Sequence, residues 1–304
     1  MTPKRKFPFH ILVFLAPAVL IYTVFMIYPL LDSLRLSFFA PNAEGVSAFV
    51  GFNNYNTLFN DPNYSVRMWG ALRNNLVFFA IHMLVQNPIG LLLAALLSAR
   101  VVRGRTFFRT LIFTPTILSV VLVGFIWRLI LSPLWGREVL GSLGITPEPW
   151  LGLQDSALPA LALISVWQYI GIPMMLFLAA LIAIPDEIVE AAQVDGATGI
   201  GIFFRIKLPL ILPTVGIVSV LTFVGNFNAF DLVYTTQTAL AGPNFATDLL
   251  GTFFYRTFFG FQLQAGNPTM GATIAGVMFA IILVGVLLYL FGFQRRLLRN
   301  DIQL

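Results

Sequence analysis

Cysteine is absent from the 304 residues. That excludes a disulfide framework, a thiolate nucleophile, iron–sulfur ligation and any Cys-bearing zinc site. Histidine occurs only at His10 and His82, too far apart for an HExxH metal motif. Lysine occurs only at Lys4, Lys6 and Lys207, and none of them closes a G-x-x-x-x-G-K-[ST] run. No phosphate-cradling P-loop of the chain's own is expected, and no catalytic or metal site. Charge is the other scarcity. Only 10% of the residues are charged, where a soluble domain carries about a quarter. Hydrophobic residues reach 58% and mean hydropathy is +0.86. Such a chain cannot give a compact body a wetted surface, so it reads as an integral membrane protein.

Net charge is +5. The basic residues flank apolar segments, so membrane topology explains them better than nucleic acid does. A spanning helix needs about 20 predominantly apolar residues. Six stretches qualify, at residues 9–31, 75–98, 111–131, 158–184, 208–233 and 270–293. None shows the strand-like alternation of a barrel, so the expected fold is all-α: one polytopic domain of six transmembrane helices over residues 1–304. The first stretch is too long for a signal-peptide core and reads as an anchor.

One side collects Lys4, Arg5, Lys6, Arg100, Arg103, Arg105, Arg109, Arg205, Lys207, Arg295, Arg296 and Arg299. The other has Arg35, Arg67, Arg73, Arg128, Arg137 and Arg256. By the positive-inside rule both termini are expected in the cytoplasm.

The connection at 185–209 does not fit a plain bundle. Pro185 suits the first turn of a helix, and Asp186 and Glu187 complement its positive end. Ile188, Ala191 and Ala192 make a narrow apolar face, and Gly196 suits the left-handed position that ends a helix. A short amphipathic helix between two spans is expected. As physics alone, it could simply lie in the membrane interface.

The pattern says more. Glu190-Ala191-Ala192, then Asp195-Gly196-Ala197, then Ile206 with Leu208-Pro209 resembles the EAA loop of ABC importer permeases. Val50-Gly51-Phe52-Asn53-Asn54-Tyr55, Arg103-Gly104-Arg105-Thr106-Phe107-Phe108-Arg109 and Phe230-Asp231-Leu232-Val233-Tyr234 resemble the maltose and glycerol-phosphate type permeases. That subfamily usually continues with a Thr-Gly-Gly-Gly-Pro turn. Here the chain reads Thr235-Thr236-Gln237-Thr238-Ala239-Leu240-Ala241-Gly242-Pro243, longer and with one glycine.

The resemblance implies the type I ABC importer permease fold and a set of partners. These are a second, related permease, two ATP-binding subunits and an extracytoplasmic solute-binding protein that delivers a sugar. ATP and magnesium would belong to the ATPase subunits, and this chain would hold no cofactor and bind no nucleic acid. Glu190, Ala191, Ala192, Asp195, Gly196 and Ala197 would form the ATPase-coupling element, in a prokaryotic cell membrane.

For the substrate path the residues themselves speak. A charged group at a helix centre costs roughly 2.5–3.5 kcal/mol, so polar residues in spans need a reason. Asn226, Asn228 and Asp231 near the end of the fifth span have amides and a carboxylate to bond hydroxyls, beside aromatic rings for sugar faces. Helix packing, or for Asp231 the outer interface, would explain them equally simply. In the fourth span Trp167, Gln168 and Tyr169 precede Pro173, whose kink suits a cavity-lining segment. His82 reads as a packing residue. In the last span, Ala272, Gly276 and Ala280 form a small-residue stripe for close helix approach.

An ion-coupled secondary transporter would use midplane carboxylates and internal repeats. Asp231 is the one acid within a span, at a helix end, and no repeat is visible. A membrane enzyme would need a polar catalytic cluster, and none is visible. An ABC importer of glycerol-phosphate or a polyol ranks below the sugar reading, because a phosphate ester favours basic residues in the path.

Overall fold

The computed structural model describes residues 9–41, 46–99, 103–142, 144, 148–262 and 264–294. Lys4, Arg5, Lys6, Arg100, Arg295, Arg296 and Arg299 lie outside them. The described chain is almost entirely helical, with two short β-hairpins. Four helices are long and apolar enough to cross a membrane: Val13–Leu36, Pro62–Ser98, Leu212–Gln237 and Pro268–Gly292. Two bent pairs pass the same test together. Arg105–Ile117 with Val120–Ile130 turns by 96°, and Ala157–Tyr169 with Gly171–Ile182 by 44°. Six spans result if each bent pair is one span.

Prolines accompany three of the irregularities. A proline within a helix cannot donate to the carbonyl four residues back, and its ring crowds that carbonyl. Just before Pro29, Pro88 and Pro209 the helix widens by one residue. Tyr28, Asn87 and Leu208 each donate to the carbonyl five back, on Thr23, His82 and Phe203. Single wide turns of this kind often mark functional positions.

The chain divides into two compact units. The smaller comprises residues 1–65 and 257–277. Within it Asn54 donates to the carbonyls of Ser37 (2.8 Å) and Phe39 (2.9 Å), closing the end of the first span onto the hairpin Phe39–Pro41/Ser47–Phe49. The Tyr55 hydroxyl lies 2.8 Å from Ser37 Oγ. It also lies 2.7 Å from where a Cβ on Gly276 would stand, so the middle of the small-residue stripe admits a tyrosine of this same chain.

The larger unit comprises residues 66–256 and 278–304. Two apolar centres of its core are formed by described residues. Phe78, Val123, Leu161, Ile164 and Val233 belong to one; Ala94, Met174, Phe177, Leu181 and Val218 belong to the other. Backbones approach closely where glycine permits. A Cβ on Gly90 would stand 3.2 Å from Pro173, and one on Gly171 would stand 2.9 Å from Phe113 Cα. The second obstacle is backbone, which cannot rotate away. We therefore expect Gly171→Ala to lower stability by about 1–3 kcal/mol, the usual cost of overpacking, read as a fall in melting temperature of the purified protein. An unchanged melting curve would contradict this packing.

Candidate functional site: a polar cavity inside the larger unit

The cavity has a volume of about 430 Å³, with walls from several segments of the larger unit. Phe78, His82 and Gln86 come from the second span, at four-residue intervals on one face of a helix. The wide turn before Pro88 begins at His82 and ends at Gln86. Ser165 and Tyr169 come from the Ala157–Tyr169 helix, and Thr222 and Asn226 from Leu212–Phe227. Each of these pairs is again four residues apart. Asn228, Phe230 and Asp231 line it from the break between Leu212–Phe227 and Asp231–Gln237. Among the described residues the lining contains no Lys or Arg, and Asp231 is its one carboxylate.

Hydrogen bonds fix this wall. His82 Nδ1 lies 2.8 Å from the Phe78 carbonyl, which can only accept, so Nδ1 carries the ring proton. His82 Nε2 then takes the Ser165 hydroxyl proton at 3.0 Å. Asn87 donates to Thr222 Oγ1 at 3.1 Å, and Thr222 donates to the Val218 carbonyl at 2.8 Å. Asn226 donates to the Thr222 carbonyl at 2.7 Å. Its side-chain oxygen and that of Gln86 are buried with no donor among the described residues. Asn75 ties the end of the same helix to the next element, donating to the Asn226 carbonyl (2.9 Å) and accepting from Leu250 N–H (2.7 Å).

Phe230 belongs to a ring cluster with Tyr234 and Tyr255, whose centroids lie 5.0–5.1 Å apart. Gly251 lets the Leu250–Phe259 helix come this close, since a Cβ there would stand 2.8 Å from the Ala229 carbonyl oxygen.

Among the residues singled out from sequence, Tyr169, Asn226, Asn228 and Asp231 therefore share one cavity. Trp167 and Gln168 are not in its lining. Trp167 packs edge-on against Trp127 at 5.5 Å. Gln168 is buried at the 96° bend, donating to the Leu118 carbonyl (3.2 Å) while its own carbonyl accepts from Thr116 (3.0 Å). Phe230, quoted above as part of a motif, also lines the cavity, as do His82, which sequence reading took as packing, and Gln86, Ser165 and Thr222, which it passed over. Their signal was the recurrence of polar residues at i and i+4 within three apolar helices.

Between the fourth and fifth spans, helix Asp186–Val194 ends as its sequence suggests. Gly196 sits at φ +80°. Ala197 N–H reaches the Ala192 carbonyl (2.9 Å) and Gly196 N–H that of Gln193 (3.0 Å). This reciprocal pair of bonds satisfies two carbonyls that the helix leaves free. Ala192 is buried, whereas Glu190, Ala191 and Asp195 are exposed. Val194 is 87% exposed, and Ile200 and Phe204 beside it are also exposed, an apolar surface on which little of this chain packs.

After the fifth span the chain enters a loop at 238–248. Thr238, Ala241, Asn244 and Phe245 all have positive φ without being glycine. A buried ion pair holds the loop. Arg256 Nη2 lies 2.6 Å from Asp248 Oδ2, and Arg256 Nη1 donates to the Ala239 carbonyl at 2.7 Å. Thr252 donates to Asp248 at 2.7 Å, and Arg67 stacks 3.4 Å from the centre of the Phe245 ring. Burial pushes the Asp248 carboxyl above its ordinary range, and Arg256, Thr252 and Arg67 pull against that shift.

Apolar spans and, in the larger unit, a partly open cavity with polar side chains in its lining suit a multi-pass membrane permease. Residues 86–300 match the model of the family described as "Binding-protein-dependent transport system inner membrane component". The chain belongs to that family. It is 30% identical to the arabinooligosaccharides transport system permease protein AraP of Bacillus subtilis, over 92% of this chain and 86% of that one. It is likewise 30% identical to the sn-glycerol-3-phosphate transport system permease protein UgpA of Brucella abortus, over 99% and 97%. Its fold is similar to a chain of a bacterial ABC transporter involved in import of the acidic polysaccharide alginate. That match has a TM-score of 0.77 at 26% identity, covering 94% of this chain and 96% of the other.

Proposed function

We propose that the chain is the permease subunit of an ATP-driven importer and forms half of the path for a sugar. The observation that carries this reading is the cavity. It offers amides, hydroxyls, an imidazole and one carboxylate beside a ring cluster, and no Lys or Arg among the described residues. A phosphate ester would need cationic partners there, so the glycerol-phosphate relative does not decide the substrate.

In this reading Asn226, Asn228, Asp231 and Tyr169 meet the sugar. Trp167 and Gln168 brace the bent helices beside it. Both termini lie in the cytoplasm. A second related permease completes the path, and an extracytoplasmic binding protein delivers the sugar. Two partner subunits bind ATP and magnesium; this chain has no nucleotide site of its own. Their closure moves the helix at Glu190, Ala191 and Ala192, while Asp195, Gly196 and Ala197 fix the turn behind it.

Purifying the tagged chain from native membranes tests the reading. A co-purifying Walker-bearing ATPase, stimulated by binding protein plus sugar, is the expected result; a chain that emerges alone even after crosslinking at Glu190 sinks it. Within the complex, Asn226→Ala removes an acceptor for a sugar hydroxyl. A typical hydrogen bond contributes about 1 kcal/mol, so uptake should fall several-fold to about tenfold at limiting sugar. Unchanged uptake would remove Asn226 from the path.

A further inference from the structure

The cavity has a polarity of its own, set by where its protons go. A carbonyl can only accept, so any side chain that donates to a backbone carbonyl has that proton committed. The wall does this repeatedly. His82 gives its Nδ1 proton to Phe78, and the Ser165 hydroxyl then gives its proton to His82. Thr222 gives its hydroxyl proton to Val218. Asn226 and Asn228 each bond the carbonyl four residues back, on Thr222 (2.7 Å) and Val224 (3.0 Å). Those bonds also orient the two amides, since a flipped amide would set oxygen against oxygen. The groups left for a solute include three acceptors, the unpaired Oδ1 of Asn226, the unpaired Oε1 of Gln86 and the carboxylate of Asp231, beside donors on the Tyr169 hydroxyl and the remaining amide hydrogens.

We infer that this cavity selects an uncharged, hydroxyl-donating saccharide and rejects sugars bearing carboxylate or phosphate groups, with Asp231 as the residue that enforces the rejection. The inference rests on the sugar-permease reading and adds to it the charge class of the substrate. An anionic sugar would meet the exposed carboxylate of Asp231 with no Lys or Arg among the described lining residues to offset it, and like charges set against each other oppose binding. A neutral sugar brings hydroxyl donors for those three acceptors without adding a negative charge.

The test uses the whole purified transporter complex without its binding protein, so that selectivity reports on the membrane cavity. Binding is measured for maltotriose, arabinotriose, trigalacturonate and glucose 6-phosphate. The expected result is that at least one neutral trisaccharide binds about tenfold or more tighter than either anion, the equivalent of a single unfavourable contact of this kind. Asp231→Lys should narrow that gap by strengthening the anions, and Asp231→Asn should narrow it less. An anion that binds as tightly as the best neutral sugar would overturn the inference, as would a gap unchanged in both variants. If none of the four binds while the complex still hydrolyses ATP, the sugar reading itself has failed, and the inference falls with it.

Discussion

Gly196→Val is expected to abolish most transport while leaving the protein assembled in the membrane. The residue sits at φ +80°, and a Cβ there would meet nothing within 4 Å of this chain. The penalty is therefore conformational rather than steric. A β-branched residue forced into the left-handed region costs on the order of 1–3 kcal/mol. The helix end would relax instead, losing the bonds from Gly196 and Ala197 to the Gln193 and Ala192 carbonyls. If that helix transmits ATPase closure, a loosened end absorbs the motion, and uptake should fall by more than about tenfold with ATP hydrolysis retained. Asn tolerates left-handed φ, so Gly196→Asn should keep most of the uptake. Normal uptake in Gly196→Val would count heavily against a coupling role. Equal loss in both variants would place the damage in contact with a partner rather than in the turn.

Arg256→Leu should strongly destabilise the loop that follows the fifth span, which Arg256 holds from the next helix. Removing one member of a buried ion pair costs about 3–5 kcal/mol, because the other charge stays buried without its partner. Here the orphan is Asp248, left with Thr252 and the more distant Arg67. Its carboxyl, already pushed up by burial, would rise further and take up a proton at mildly acidic pH. The sign of the pH effect follows. A carboxyl with a raised folded-state pKa has its full contribution below the unfolded pKa and loses it as pH rises through the folded pKa. The melting temperature of Arg256→Leu should thus lie closest to wild type near pH 5 and furthest from it near pH 8. Asp248→Asn together with Arg256→Leu should recover part of the loss at pH 8. A deficit that does not vary with pH would show that Asp248 is not the cause.

The same loop marks where sequence reading gave out. Related permeases usually place consecutive glycines after this tyrosine, and glycine takes positive φ without strain. Thr238, Ala241, Asn244 and Phe245 reach that region without glycine, at a cost that Arg256, Asp248 and the stacked Arg67 help to offset. Nothing in the loop's own sequence announces such an arrangement, since it is held by Arg256 from the helix that follows and by Arg67 from far upstream. The spans and the helix ending at Gly196 were legible because they depend on composition, end signals and one glycine. Half of the cavity was legible for a related reason: Asn226, Asn228 and Asp231 are conspicuous beside each other. His82 and Gln86 were not, because each stands alone in an apolar run, and only the packing of three helices brings them to Ser165 and Thr222.

The wide turn at His82–Gln86 has a further consequence for the second span. Upstream, the buried positions run Met68, Ala71, Asn75, Phe78 and His82, alternating steps of three and four. Continued at that rhythm they would reach 85, 89, 92 and 96. The buried residues instead include Gln86, Gly90, Ala94 and Leu97, each one or two places later. The chain thus carries one surplus residue at this point, and the wide turn takes it up so that both halves keep the same face inward. Pro88→Ala would lift the local obstacle to a regular helix without straightening it. Regular geometry with the same number of residues would swing Gly90, Ala94 and Leu97 by about 100° from their present face. The bulge is therefore recorded twice, once in the proline and once in the phase of the apolar stripe beyond it.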